Sequence, residues 1–271
     1  MPRLHRPGSL DEAVALLAEL DNPMVYGGGT AIQILLKQGI LYADNFVDLA
    51  TVPGLDVVRS DERGVTVGPM VSLRRMEAIA PPLAAAAYRH VANPRVRNTA
   101  SVGGNIAHGD YRLDPPTALL VLDAVVLATS VQGTREIPVR EFFTDFQQTA
   151  LEPDELISGI RIPHQDRAAG YHFEKNSSLG ANDWPCASAA VLVTENSVQI
   201  GLGAVAPTPR FTTADITGLD DQGAVEAALA AVEPELDPIP DVRGGVTYKR
   251  RLAMVTVEDA VRRAWKDFHN G

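Results

Sequence analysis

Two glycine segments carry the residues whose types and spacing could do chemistry. The first is "VYGGGTAIQ", residues 25 to 33, in which three consecutive glycines stand between a short apolar run and an apolar-periodic segment. Glycine in a run costs conformational entropy, so bare backbone is favoured where something must approach it closely. A strand-to-helix turn presents amide N–H groups at a helix N-terminus, and an anionic group is their usual guest. The second is "NPRVRNTASVGGNIAHGDYRLDPP", residues 93 to 116, where Gly103 and Gly104 precede Asn105. It reads as a long loop, and loops of that length tend to be functional or disordered; Val96, Val102 and Ile106 argue for order. Asp114 before Pro115 and Pro116 suits an N-cap on a proline-started helix. Neither segment has a lysine among its glycines, so amides and helix dipoles would have to neutralise a bound pyrophosphate.

Other chemistries are excluded. "IGLGAVA", residues 200 to 206, matches G-x-G-x-x-A, but Pro207 and Pro209 follow and a helix cannot open there, so the motif reads as a tightly packed strand end and not as a Rossmann site. No G-x-S-x-G elbow, Walker loop or HExxH spacing occurs, and no metal site is expected. His164 and His172 read as surface residues. Cys186 is the single cysteine, so the chain has no internal disulfide and cannot ligate an iron–sulfur cluster. Any such centre must sit on another subunit.

The elements that must position these segments follow from pattern. "SLDEAVALLAEL" is a helix with Ser9 as N-cap and Glu12 completing a capping box. "PMVYG" is a strand, "AIQILLKQG" a short helix ending at Gly39, and "NFVDLA" a strand, together a βαβ-like unit. "LDVVRSDERGVTVGP" reads as a hairpin turning at Asp61 to Gly64. "SLRRMEAIA", "PLAAAAYRHVA" and "PTALLVLDA" read as helices, and "AVVLATS" and "LISGIRIP" as strands. "YHFEK" and "ASAAVLVTENSVQIGLGAV" are further strands, followed by helices "GAVEAALAAVE" and "TVEDAVRRAWKDF". The fold class is α+β in three segments, 1–54, 55–165 and 166–271. With 271 residues, 45% hydrophobic, a sizeable core is expected. A net charge of −10 without a basic block disfavours nucleic acid as a partner. No apolar run reaches membrane-spanning length and no signal-peptide core is seen, so a cytoplasmic protein is expected.

The order and spacing of "GGGT" at Gly27 to Thr30 and "ASVGGNI" at Ala100 to Ile106 resemble the FAD-binding medium subunit of molybdenum hydroxylases, the carbon monoxide dehydrogenase and xanthine dehydrogenase flavoproteins. Asp114, "LEPDELISGIRIP", the "FEK" around Lys175 and the "NDW" containing Asp183 also match, and the resemblance covers essentially the whole chain. It implies an FAD-binding fold of the vanillyl-alcohol-oxidase (PCMH) type, with two FAD-binding subdomains and a C-terminal α/β subdomain. It implies non-covalent FAD, with Val25, Tyr26, Gly27, Gly28, Gly29, Thr30, Ala31 and Ile32 in one arm of the phosphate cradle. Ala100, Ser101, Val102, Gly103, Gly104 and Asn105 would form the other; Asp114 would hydrogen-bond the cofactor, and Ile157 and Lys175 would lie near it. No side chain need be a general acid or base. Ser178 and Leu179 stand where relatives carry two arginines, and His108, Asp110 and Tyr111 stand where relatives often have small residues.

The resemblance further implies a subunit that passes electrons from iron–sulfur clusters on a small subunit, through FAD, to an external acceptor. The molybdenum cofactor would be on a large subunit, in a dimer of heterotrimers. A free-standing FAD oxidase and a scaffold that has lost FAD are the alternatives. Residue by residue, blander roles stand beside these: Asp114 as a helix cap, Lys175 as a solvated charge, Tyr26 and Trp184 as packing residues, Asp183 as a turn former.

Overall fold

The computed structural model describes residues 2–165, 168–180 and 182–270. Three sheets organise them. The first is parallel, in the order β1-β3-β2, from β1 (Arg3–His5), β2 (Pro23–Tyr26) and β3 (Asn45–Asp48). α1 (Leu10–Glu19) packs on it through Ala13, Val14 and Leu17, all buried. Its N-cap Ser9 accepts from the Glu12 amide at 3.1 Å, while the Glu12 carboxylate reaches back to the Gly8 N–H at 2.7 Å. α2 (Ile32–Lys37) links β2 to β3, so the βαβ unit is present, with a 3-10 turn at Leu49–Thr51 after β3.

The second sheet is antiparallel, ordered β4-β5-β10-β6-β7. Its hairpin β4 (Val58–Asp61) and β5 (Gly64–Val67) turns where expected, with Asp61 Oδ1 accepting from the Arg63 N–H at 2.8 Å. β6 (Val125–Ser130), β7 (Gly133–Pro138) and β10 (Leu156–Ile162) complete it, with a bulge between Ile157 and Gly159. α3 (Leu73–Ile79), α4 (Pro82–Arg89), α5 (Pro94–Thr99), α6 (Val102–Ala107), α7 (Asp114–Val121) and α8 (Val139–Phe142) surround it. β8 (Phe143–Asp145) and β9 (Gln148–Thr149) form a small hairpin.

The third sheet is a four-stranded meander, β11 (Gly170–Asn176), β12 (Ala187–Val193), β13 (Ser197–Gly203) and β14 (Arg210–Asp215). α9 (Asp221–Val232) and α10 (Val246–Asn270) cover one face and α7 the other. Covered on both faces, β12 is buried at every residue and reads as an unbroken apolar run. α7 comes so close to β13 that a Cβ on Gly201 would stand 2.0 Å from the Thr117 carbonyl oxygen, and one on Gly203 2.7 Å from Thr117 Cγ2. The "IGLGAVA" glycines are therefore packing glycines.

Three expectations need correction. Residues 93–116 are not a long loop: α5 and α6 occupy most of them, capped by Asn93 and Ser101, whose side chains accept from backbone amides two to three residues on. Asp114 is not an N-cap, since it is the first residue of α7 and its carboxylate turns to a lysine instead. The last helix begins ten residues earlier than "TVEDAV" suggests, because Lys249, with its ammonium buried on the Ile239 carbonyl and Asp241, anchors an additional N-terminal stretch.

Candidate functional site

A cavity of about 730 Å³ opens where the first sheet, α6, the start of α7 and the C-terminal end of β11 meet. Small-molecule and cofactor sites occupy about 300–1,000 Å³. Both glycine segments face it. Val25, every residue from Gly27 through Ile32, and Ala100, Ser101, Gly103, Gly104, Asn105, Asp114, Ile157 and Lys175 line it. Tyr26 and Val102 do not. Tyr26 lies edge-on to Phe46 and accepts from Gln33 Nε2 at 2.7 Å, and Val102 is fully buried in the core.

The two segments contribute differently. After β2 the chain turns through Gly29 (φ +70°) into α2, whose N-terminus has no side-chain cap. Among the described residues, the N–H groups of Gly29, Thr30 and Ala31 have no hydrogen-bond partner. Three consecutive free amides at the positive end of a helix are an anion seat. In the second segment the amides are spoken for. Val102 N–H donates to Val71, Gly103 N–H to Pro69 and Asn105 N–H to Ser101, at 2.8–2.9 Å, while Ser101 Oγ takes the Gly28 and Gly104 amides at 3.4 and 3.3 Å. Gly104 offers open surface: a Cβ there would meet only Ser101 Oγ, at 2.9 Å.

Several of the glycines answer to the protein itself. A Cβ on Gly28 would lie 2.0 Å from the Thr99 carbonyl oxygen, and one on Gly103 2.6 Å from Pro69 Cβ. The bare backbone thus lets the two segments dock on each other and on the chain before α3, as well as leaving room for a guest.

The far wall is polar and buried. Lys175 Nζ donates to Asp114 Oδ2 at 2.7 Å and to the His90 carbonyl at 3.0 Å, with the lysine and aspartate side chains only 3% and 5% exposed. Lys175 is therefore no solvated charge. Asp114 Oδ1 and Asn105 Oδ1 are buried without a partner. Burial pushes the Asp114 carboxyl up to about 7, against the opposing pull of Lys175. His108 lines the cavity, and burial lowers its imidazole although Asp110 favours the charged form. Asp110 itself is turned away: Arg112 holds it in a two-pronged pair at 2.7 and 2.9 Å, which outweighs burial and keeps its carboxyl below the usual range. The Arg112 guanidinium stands 4.9 Å from the Trp184 ring centre, and Trp184 and Asp183 also border the cavity. Asp183 is bridged to Arg243 at 2.7 Å, so it does more than begin a turn, whereas Leu179 is exposed.

Sequence reasoning missed the turn at Val91 and Ala92, which walls the cavity beside α5. Ala92 has φ +43°, a left-handed conformation uncommon for alanine. Arg97 holds it there: nearly buried and bridged to Glu77 at 2.7 Å, it donates to the Val91 and Ala92 carbonyls at 2.8 and 3.0 Å. A buried arginine was the only sequence signal available, and "NPRVRN" looks like any exposed basic stretch.

A cavity with free amides on one side and a buried Asp114–Lys175 pair on another fits a ligand with an anionic middle and polar groups at an end. Residues 1–165 match the family model described as the FAD binding domain in molybdopterin dehydrogenase, and residues 172–264 the CO dehydrogenase flavoprotein C-terminal domain. The chain belongs to this family. It is 31% identical to the carbon monoxide dehydrogenase medium chain of Hydrogenophaga pseudoflava over 96% of each chain. It is also 31% identical to the nicotine 6-hydroxylase medium subunit of Paenarthrobacter nicotinovorans, over 96% of this chain and 95% of that one. The fold superimposes on a chain of the reconstituted CO dehydrogenase from Oligotropha carboxidovorans with a TM-score of 0.93, 29% identity and 98% coverage of both. It is an FAD-binding oxidoreductase subunit of the molybdenum hydroxylase family with the mixed helix-and-sheet PCMH-type fold. No helix among the described residues is long and apolar enough to cross a membrane.

Proposed function

We propose that this chain is the electron-transfer flavoprotein of a three-subunit molybdenum hydroxylase. It would receive electrons from iron–sulfur clusters on a small subunit and deliver them to an external acceptor. Substrate would be oxidised at a molybdenum cofactor on a large subunit, in a cytoplasmic dimer of heterotrimers. The observation that carries this reading is one cavity lined by the free amides of Gly29, Thr30 and Ala31, the bare backbone of Gly103 and Gly104, and the buried Asp114–Lys175 pair. FAD offers the matching set, a pyrophosphate that only accepts hydrogen bonds and rings and hydroxyls that donate them. Residues 1–54 and 55–165 would act as the two FAD-binding subdomains and 166–271 as the C-terminal one.

In this reading the chain's own groups bind and orient. The 29–31 amides and the α2 dipole offset the pyrophosphate charge; the bare face of Gly104 lets it approach the main chain. Lys175 fixes the Asp114 carboxyl, and Ile157 together with the β2 and α2 residues contributes apolar wall. FAD, when bound, would supply the redox chemistry. Cys186 is the only thiol, so the chain contains no ligand set for a cluster of its own.

The test is anaerobic stopped-flow on the FAD-loaded subunit. Dithionite should bleach the flavin, the substrate of the intact enzyme should not, and adding the two partner subunits should restore bleaching by substrate. Rapid reduction of the isolated subunit by that substrate would instead identify a free-standing oxidase.

A further inference from the structure

Two six-residue helices border the cavity, and they are anchored in opposite ways. α6 is built into the fold. Val102, Gly103 and Ile106 are buried, Ser101 caps its N-terminus, and the Val102 and Gly103 amides donate to the Val71 and Pro69 carbonyls at 2.9 and 2.8 Å. α2 is not. Four of its six residues are apolar, yet none of the six is buried and its N-terminus has no side-chain cap. Ile32 and Leu35 are half-buried and Ile34 is 56% exposed, and all three border the cavity. Among the described residues, one side-chain hydrogen bond ties α2 to a strand, from Gln33 Nε2 to the Tyr26 hydroxyl at 2.7 Å, and it is exposed. The chain enters and leaves the helix through Gly29 and Gly39, at φ +70° and +67°. A helix this short does not hold together by its own hydrogen bonds; such helices persist because packing buries one of their faces. The protein covers that face of α2 only in part, so opening the segment costs far less than unfolding the domain.

Resting on the FAD reading above, we infer that residues 30–38, between these two glycines, form a lid that the cofactor itself closes. It does so from two sides. The pyrophosphate on the Gly29, Thr30 and Ala31 amides supplies the N-terminal cap that α2 lacks. A ring system of the cofactor against Ile32, Ile34 and Leu35 supplies the apolar contact that the protein leaves incomplete. α6, whose amides the protein already takes, is the fixed wall against which the lid closes. The two glycine segments thus divide the work: one is a preformed surface, the other is ordered by its guest. Release of the cofactor waits on reopening of α2, and the apparent affinity carries the cost of ordering it.

Lys37, exposed on α2, is the one lysine or arginine between Arg6 and Arg59, so trypsin reads this segment directly. The full chain is digested briefly with and without FAD, binding being followed by flavin absorbance, and a fragment that begins at Gln38 marks the cut. Cleavage there should be about tenfold or more slower when FAD saturates the chain, because proteolysis tracks the open population and a ligand of the closed state depletes it. Short pulses of hydrogen exchange supply the control. The α2 amides should exchange in the FAD-free chain and be protected in the loaded one, whereas the α6 amides should be protected in both. Equal protection of α2 and α6 without FAD, or a cut at Lys37 that bound flavin does not slow, would overturn the lid and leave α2 a fixed wall. A chain that takes up no flavin would overturn the FAD reading itself, and this inference with it.

Discussion

Gly28 lies against the Thr99 carbonyl so closely that a Cβ would stand 2.0 Å from its oxygen, the point at which the two glycine segments touch. Gly104, on the second segment of the same cavity, has only the movable Ser101 hydroxyl within reach. Alanine at the two positions should therefore fail in different ways. Gly28→Ala must push two backbones apart and is expected to cost about 1–3 kcal/mol in stability as well as FAD. Gly104→Ala sits inside α6, where alanine is the better helix former by up to about 1 kcal/mol, so its melting temperature should hold while FAD retention falls. Thermal melts of the cofactor-free variants, beside the flavin absorbance of the loaded ones, check both.

Arg97 supports the cavity from outside it. Its guanidinium is nearly buried, bridged to Glu77 and hydrogen-bonded to two carbonyls of the turn that holds Ala92 at φ +43°. Arg97→Ala leaves the Glu77 carboxylate and two carbonyls unpaired, and an expected loss of about 3–5 kcal/mol follows from breaking one side of a buried pair. Urea unfolding measures it, and FAD affinity should drop with it because the Val91–Ala92 turn loses its anchor. An effect below 1 kcal/mol would mean that Glu77 finds a substitute in Arg74, which already reaches it at 2.7 Å.

What was legible in the sequence divides along physical lines. Pattern and local signals announced α1, α3, α4 and the β4–β5 hairpin, since each is decided locally by apolar spacing, Ser9 as the N-cap of α1, and a turn at Asp61 to Gly64; the structure adds Ser72 as the N-cap of α3. β7, with five of six residues exposed, has no apolar alternation to read; it exists because β6 offers it a partner. α5 and α6 are six residues each, too short for periodicity, and are held by Asn93 and Ser101 together with tertiary contacts. At the cavity, glycine runs pointed to the right segments but not to the reason for each glycine. Which amide is taken and which carbonyl blocks a Cβ depends on residues far apart in the chain, as Gly28 does on Thr99 and Ser101. The partnership of Asp114 with Lys175, 61 residues on, was likewise invisible until α7 and β11 were placed.

Tyr26 stands inside the first glycine segment but points away from the cavity, with its ring against Phe46 and Gly29 and its hydroxyl on the Gln33 amide. Tyr26→Phe removes one exposed hydrogen bond and keeps the ring, so a change of about 1 kcal/mol or less is expected, with FAD affinity unaltered. Flavin titration by fluorescence quenching is the check. A tenfold loss of affinity would show that the hydroxyl turns inward when the cofactor is bound.

The cofactor-free protein should carry the signature of Asp114 in its pH dependence. Its folded-state carboxyl is raised to about 7 by burial, above the ordinary value of 3.8, so between those limits the folded state holds a proton that the unfolded state has lost. Stability contributed by this group is thus greatest below about pH 4, falls as pH rises toward 7 and is flat above it. His108 works in the opposite direction. Its lowered imidazole lets the unfolded state take up a proton first as pH falls below 6.5, so it costs stability on the acid side of the same window. Asp110, Asp183 and Asp241, all held below the usual carboxylate range, lose their contribution only at more acidic pH. Urea midpoints measured from pH 5 to 8 for the wild type and Asp114→Asn isolate the first group, because every other term is common to both. The difference should shift steadily in favour of Asp114→Asn as pH rises and level off near neutrality. A difference independent of pH would mean that Lys175 keeps Asp114 ionised throughout and that the pair is a plain salt bridge.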